Sequence, residues 1–207
     1  MYSPKFNQVS DRATLLEAMR LYSFAILFGP QGTAEPLVAT HLPLVVKDEG
    51  DHGLIEGHFA KANRHWLSLA GRETLVVFPG PHSYVSPTCY VEPLSVPTWN
   101  YIAVHAYGTL ELVEDNEGKD RLLAGLIAAN EPSFAEQWRN SPEGFRRTML
   151  AGIVGFRIPI GRIEGKFKIS QNRAPEERRN VQAAHAAGTP DQQALAAWME
   201  RLISQLA

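Results

Sequence analysis

From Val96 to Gly108 the chain reads VPTWNYIAVHAYG, and as a strand this run sends two unlike faces to opposite sides. Thr98, Asn100, Ile102, Val104 and Ala106, continued by Leu110 and Leu112, form a core face whose leading end turns polar. Trp99, Tyr101, Ala103, His105 and Tyr107 form the other, and its rings carry N–H and O–H groups that need partners once buried. Such a face suits a subunit interface, a flat heteroaromatic ligand or the underside of a covering helix.

The same reading runs along the rest of the chain. Ser10 caps a helix expected over residues 11–22, with Leu15, Leu16, Met19 and Tyr22 at helical spacing. Phe24–Phe28 is a short apolar strand ended by a turn at Gly29-Pro30-Gln31-Gly32. Residues 37–46 read as one strand in which Pro43 marks an edge or bulge. A polar hairpin turn at 48–53 leads to a strand over 54–60. Residues 74–78 are a β-branched strand, turned by Pro79-Gly80-Pro81 into 83–86. From Asp115 the period becomes helical, with Leu122, Leu123, Leu126 and Ile127 on one stripe, and a further helix starts at Ser141-Pro142-Glu143. Residues 153–163 revert to strand and 167–170 extend or pair with it. Two helices close the chain, one from Pro175 to Gly188 and one capped by Thr189 with Leu195, Trp198, Met199, Leu202 and Ile203 on its stripe.

The tally is six or seven short antiparallel strands with helices at the ends and between the later strands. No regular strand–helix alternation is present, which argues against a doubly wound parallel sheet. A small antiparallel β-barrel with peripheral helices, mainly β within the α+β class, is the expected fold. One domain over residues 1–207 is expected, with a helical extension from about residue 174.

Composition narrows the function classes. A formal net charge of -2 and a pI near 6.4 argue against a broad basic face for nucleic acid. The last two helices imitate a helix-turn-helix, but the second would present Asp191, Gln192, Gln193, Glu200 and one Arg201 to a groove, so direct DNA binding is not expected. The single cysteine, Cys89, excludes an internal disulfide and fits a reducing compartment. No run reaches membrane-spanning length and the opening lacks a signal-peptide core, so a cytoplasmic protein without a membrane partner is expected.

Two segments carry donors suited to a ligand. Gly57-His58-Phe59-Ala60-Lys61-Ala62-Asn63 offers a cation, an amide and an imidazole at a strand end. A phosphate dianion needs converging cations and N–H or O–H donors, and Lys61, Asn63 and the hydroxyl of Thr40 or Ser86 would serve. In Lys166-Phe167-Lys168-Ile169-Ser170-Gln171-Asn172-Arg173, Phe167 and Ile169 point inward, while Lys166, Lys168 and Ser170 share the other face. The seven histidines, His41 and His58 among them, show no metal-ligand spacing, and no metal is expected. Hydrolase, P-loop and Rossmann motifs are absent from the sequence.

Taken together the segments resemble the PaiB family of FMN-binding split-barrel proteins, often labelled negative transcriptional regulators. The resemblance rests on the opening Met1-Tyr2-Ser3-Pro4-Lys5-Phe6, on Ala39-Thr40-His41-Leu42-Pro43, on residues 57–63, on Ser83-Tyr84-Val85-Ser86-Pro87, on Val96-Pro97-Thr98-Trp99-Asn100-Tyr101 with Val104-His105, and on Ser170-Gln171-Asn172-Arg173. Lys61 stands where the family often has Arg, Arg64 where it often has Pro, and Cys89 where a bulky aromatic is usual. The resemblance implies an antiparallel, pyridoxamine-phosphate-oxidase-like split β-barrel, a homodimer, and FMN held at the subunit interface. It implies phosphate contacts from Lys61, Asn63 and Thr40, flanked by His41 and His58. It further implies ring contacts from Ser86, Trp99, Asn100 and Tyr101, joined by Ser170, Gln171 and Arg173 from the same or the other subunit. A PaiB-type regulator is the leading expectation, an FMN-dependent oxidoreductase the alternative, and a haem-binding protein on the same barrel the third.

Overall fold

The computed structural model describes residues 1–30 and 37–203, so the turn expected at Gln31-Gly32 lies outside the described residues. In chain order the elements are β1 (Gln8–Val9), α1 (Arg12–Leu21), β2 (Phe24–Pro30), β3 (Leu37–Pro43), β4 (Val45–Lys47), β5 (Leu54–Ala60), α2 (His65–Leu69), β6 (Glu73–Val85), β7 (Thr98–Thr109) and β8 (Glu111–Val113). They continue with α3 (Asn116–Asn130), α4 (Ala135–Asn140), α5 (Glu143–Ala151), β9 (Ile153–Pro159), β10 (Arg162–Lys168), α6 (Pro175–Ala186) and α7 (Pro190–Ile203). The larger sheet has the hydrogen-bonded order β1-β10-β7-β6-β2-β3, the smaller one β4-β5-β9-β8. Antiparallel sheets with peripheral helices are thus the observed architecture. Among the described residues no helix is long and apolar enough to cross a membrane.

The chain gathers into two compact units. The first comprises Met1–Asp11, Pro79–Val104 and Glu164–Ala207, and the second Arg12–Phe78 and His105–Ile163.

In the second unit, β2 pairs antiparallel with β3 from Phe24↔Pro43 to Pro30↔Leu37, and β5 pairs with β9 from Leu54↔Pro159 to Ala60↔Ile153. The core joins Leu15, Leu16 and Met19 of α1 to Leu27, Ile55, Phe59 and Phe156, all buried. Gly57 makes room for this packing, since a Cβ there would lie 2.7 Å from the Leu44 side chain and 2.9 Å from the Phe156 ring. In the first unit, β1 pairs with β10 through Gln8↔Lys166 and Val9↔Gly165. Phe167 meets Trp198 edge-on at 5.1 Å, and Ile102, Ile169, Val181, Leu195 and Met199 of the same unit are buried too. Each such side chain taken fully out of water contributes about 1.5–3 kcal/mol.

β7 alternates as its sequence pattern requires: Asn100, Ile102, Val104 and Ala106 are buried, and Trp99 to Tyr107 on the other face are at least partly exposed. Four expectations differ in detail. Residues 37–46 are two strands, because Pro43 ends β3 and the N–H of Leu44 turns to Ser23 O at 3.0 Å. Residues 153–163 are also two, because the N–H groups of Ile160 and Gly161 leave the ladder for Gly53 O (3.0 Å) and Tyr107 O (2.9 Å). Conversely, Pro79-Gly80-Pro81 does not turn: β6 runs unbroken through it, with Gly80 lying so close to Ile102 that a Cβ would meet it at 3.0 Å. Likewise Ser141 does not cap α5; its hydroxyl donates back to Gln137 O at 2.9 Å, and Pro142 takes the cap position.

Gly108 of β7 offers a sharp test of this packing, because a Cβ there would lie 2.2 Å from Pro159 O. Gly108→Ala is expected to lower the urea midpoint, with a loss of about 1–3 kcal/mol. Gly125→Ala on α3, where a Cβ meets nothing within 4 Å, is expected to stabilise by up to about 1 kcal/mol in the same measurement.

Candidate functional site

The candidate residues fall into two sets, one in each unit. In the second unit, β5 ends at Ala60 and a turn closes through Asn63 N–H to Ala60 O at 2.9 Å. His65 begins α2 with 1% of its surface exposed, and three groups fix its ring and backbone. Its Nε2 lies 3.3 Å from Gly29 O, a carbonyl that can only accept, so Nε2 carries the proton. Nδ1 then accepts from the Thr40 hydroxyl at 2.9 Å, and Thr40 Oγ1 accepts from Asn63 Nδ2 at 3.4 Å. Asn63 Oδ1 takes the His65 N–H at 3.1 Å. Burial holds the His65 pKa below its usual value, against the opposing pull of the Gly29 carbonyl.

The donor of Thr40 is therefore spent within the knot, and Asn63 keeps one amide hydrogen to give. Lys61 and Arg64 stand exposed on either side of Asn63, and residues 61–66 contain no carboxylate. His41 lies on β3 against the Phe24 ring at 6.1 Å. His58 of β5, opposite Gly155 of β9, has its pKa lowered by burial.

In the first unit, Asn100 is fully buried and exchanges hydrogen bonds with Ser170: its Nδ2 donates to Ser170 Oγ at 3.0 Å, and Oγ lies 3.2 Å from its Oδ1. Asn100 Nδ2 also lies 3.5 Å from His185 Nε2, and burial lowers the His185 pKa. Ser170 is left-handed at φ 66, a conformation rare for a residue with a side chain. Gln171 clamps the same strand end, accepting from Ile169 N at 2.8 Å and donating to Phe167 O.

Arg173 stacks over the Tyr90 ring at 3.8 Å and lies 3.8 Å from Glu177. Tyr90 has its pKa raised by burial, which the Arg173 charge opposes. Ser86 Oγ accepts from the N–H and hydroxyl of Thr88. Trp99, 53% exposed, meets the Tyr84 ring edge-on and the His82 ring at a tilt, each at 6.2 Å. Tyr101 lies under Lys166, whose Nζ is 5.3 Å from the ring.

The structure thus brings Thr40, Lys61 and Asn63 to one strand end, and Asn100, Ser170, Gln171 and Arg173 to another. Sequence reasoning missed His65 and His185, which tie these two clusters. The partner of Thr40 lies 25 residues away and that of Asn100 lies 85, distances over which spacing carries no signal. Among the described residues no group of His, Cys, Asp and Glu could hold a metal.

A strand-end turn with exposed cations on an antiparallel sheet fold is a scaffold suited to a phosphorylated coenzyme. The chain belongs to the family described as "Putative FMN-binding domain", matched over residues 1–162, and its cofactor is FMN. It is 35% identical over 184 residues to the Bacillus subtilis (strain 168) "Protease synthase and sporulation protein PAI 2", covering 87% of each chain. An uncharacterized Emericella nidulans protein is 30% identical over 70% of this chain and 74% of its own. The fold is shared with the FAD and heme binding protein of Mycobacterium smegmatis (TM-score 0.63, 18% identity, 88% of this chain and 81% of that one). It is shared too with the flavocytochrome Anf3 of Azotobacter vinelandii (TM-score 0.60, 16% identity, 78% and 69%). The split-barrel reading of the sequence holds.

In the second unit the exposed Lys61 and Arg64 and the remaining Asn63 amide hydrogen are of the chemistry a phosphate dianion takes, and in the first unit the exposed Trp99 and Tyr84 are of the kind a planar ring stacks on.

The His65 knot sets a pH dependence. The folded pKa lies below the unfolded value of about 6.5, so the unfolded chain binds the proton first. This stability is complete above about pH 6.5 and declines as pH falls from there towards the folded pKa. His65→Gln is expected to flatten that part of the profile in urea titrations between about pH 5 and 8, and to cost about 2 kcal/mol at neutral pH.

Proposed function

We propose that the protein works as a homodimeric flavoprotein. Lys61, Asn63 and Arg64, backed by Thr40 and flanked by His41 and His58, hold the FMN phosphate. Ser86, Trp99, Asn100 and Tyr101, with Ser170, Gln171 and Arg173, form the ring side of the site. The single observation that carries the phosphate assignment is the Thr40–His65–Asn63 knot, which fixes a turn whose outward groups are two cations and an amide donor. Support for a dimer comes from the open apolar surface of the first unit, where Leu94 and Val96 are 93% and 73% exposed beside Trp99. A lone chain gains nothing by leaving these in water.

Bound FMN supplies one- and two-electron redox chemistry. The chain's part is to grip the phosphate through Lys61 and Arg64, to orient the ring by its aromatic strand face, and to keep His65 neutral behind the grip. Any regulation by this protein works without groove reading. The exposed positions of α7 include Asp191, Gln193 and Glu200, which repel or ignore a phosphate backbone. An FMN-dependent oxidoreductase is the second reading. Bleaching of the flavin by NADH or NADPH in stopped flow supports it, and an unchanged spectrum removes a nicotinamide-linked reductase.

The purified protein is expected to be yellow, to elute as a dimer and to release FMN on denaturation, as read by mass. Lys61→Ala is expected to weaken FMN binding about tenfold or more. A monomer that takes up no FMN at micromolar concentration overturns the proposal.

A further inference from the structure

The hydrogen bonds that join Thr40, Asn63 and His65 accept either of two proton arrangements. A hydroxyl oxygen has one hydrogen and two lone pairs to place. With His65 neutral, Thr40 donates to His65 Nδ1 at 2.9 Å and accepts from Asn63 Nδ2 at 3.4 Å, so a lone pair of Oγ1 is left over. With His65 charged, Nδ1 carries a hydrogen and becomes the donor across the same 2.9 Å. Both neighbours then give to Oγ1, and it is the Thr40 hydrogen that is left over. Nε2 keeps its bond to Gly29 O in either state, and the His65 N–H keeps Asn63 Oδ1. One proton on His65 thus converts a lone pair that repels an anion into an O–H that binds one, with no heavy atom displaced. Thr40 is only half-buried, so this position is not sealed in the core.

The elements packed around the ring bring no charge to it. β2 offers the Gly29 carbonyl, β3 the Thr40 hydroxyl, and β5 the Phe59 ring, edge-on at 6.3 Å. His41 follows Thr40 and His58 precedes Phe59, so both stand on the opposite faces of their strands, His41 against Phe24. Lys61 and Arg64 of the turn are exposed, where solvent screens them from the ring. Burial lowers the His65 pKa and the Gly29 carbonyl opposes it, and among the described residues no charge adds to these two. The free protein therefore holds the Thr40 hydrogen inward at neutral pH, and a dianion seated at the turn favours the charged ring.

We propose that His65 is a positioning residue that tunes the grip on phosphate with pH: by taking up a proton it turns the Thr40 hydroxyl outward, as an added donor to a phosphate oxygen. This role depends on the turn at 61–64 being the FMN phosphate site. Linkage fixes its sign, because a site that is tighter when protonated holds its proton more firmly once the ligand is bound. FMN affinity gains as pH falls through the His65 pKa of the loaded protein, and the gain is complete below that of the free protein. The phosphate's own second proton, with a pKa of about 6, acts in the opposite sense, since a monoanion pairs less well with cations.

The test titrates the full chain with FMN, and with riboflavin as the phosphate-free control, by flavin fluorescence from about pH 8 down to about pH 5.5. His65→Gln and Thr40→Val are the variants. The ratio of a variant's FMN dissociation constant to that of the unaltered protein cancels the titration of the phosphate. Both ratios are expected to grow about tenfold towards the acid end, the worth of one hydrogen bond to a charged group, while the riboflavin ratios stay level. On the unaltered protein the His65 ring resonance, assigned by NMR through its contact with Phe59, is expected to titrate at higher pH with FMN bound than with riboflavin. That measurement decides the matter if neither variant folds. FMN ratios that do not change with pH, or a His65 titration that FMN leaves in place, overturn the proposal and leave the phosphate site standing. Riboflavin ratios that rise equally mark a structural effect alone and overturn it too. FMN binding unchanged in Lys61→Ala removes the phosphate site itself, and this role of His65 with it.

Discussion

The first unit depends on one buried hydrogen-bond exchange, between Asn100 near the start of β7 and Ser170 just past β10. An amide and a hydroxyl taken from water must find each other or lose the equivalent of a bond, and here each is the other's partner. The pairing holds Ser170 at its positive φ, so the chain leaves the sheet sharply, with Arg173 N–H returning to Ser170 O at 3.0 Å. That bend is what brings Arg173 back among Lys166 and Lys168. Were Ser170 extended, the strand would carry Arg173 onward and the three charges would stand in a row. The cost of a strained residue is met by the bonds that enforce it.

The second unit uses the same device with different residues. Thr40 and Asn63 are the kind of side chains a sequence reading assigns to a ligand, and both turn inward to His65. What faces outward is charge, on Lys61 and Arg64. In the second unit the small polar groups build the strand end and the long cations stay exposed. This division follows from reach and desolvation: a hydroxyl loses little by being buried with a partner, whereas a guanidinium or ammonium is better kept near water until an anion arrives.

The alternation along β7 was legible because a period of two survives any tertiary context in which one face is buried. The helical stripe of α7 was legible for the corresponding reason, with Leu195, Trp198 and Met199 all inside. Proline was the misleading signal. Pro43 did end a strand, but Pro79 and Pro81 did not, and nothing local distinguishes them: the difference lies in Ile102 packing over Gly80. The turn at Ile160-Gly161 was equally invisible, since its cause is a pair of carbonyls on Gly53 and Tyr107. In the candidate site, residue types and blocks were readable, whereas His65 and His185 were not, because their roles are fixed by partners far away in sequence.

Unit boundaries carry a consequence for how the chain is made on the ribosome. The second unit draws on two stretches and is complete in sequence once Ile163 has been added. The first draws on three, and its earliest residues, Met1–Asp11, belong with a stretch that begins only at Glu164. During synthesis Tyr2 must therefore wait for Lys166, 164 residues further on, before the two can meet. Contacts so distant along the chain close late and slowly, so the first unit is the last part of the fold to be completed.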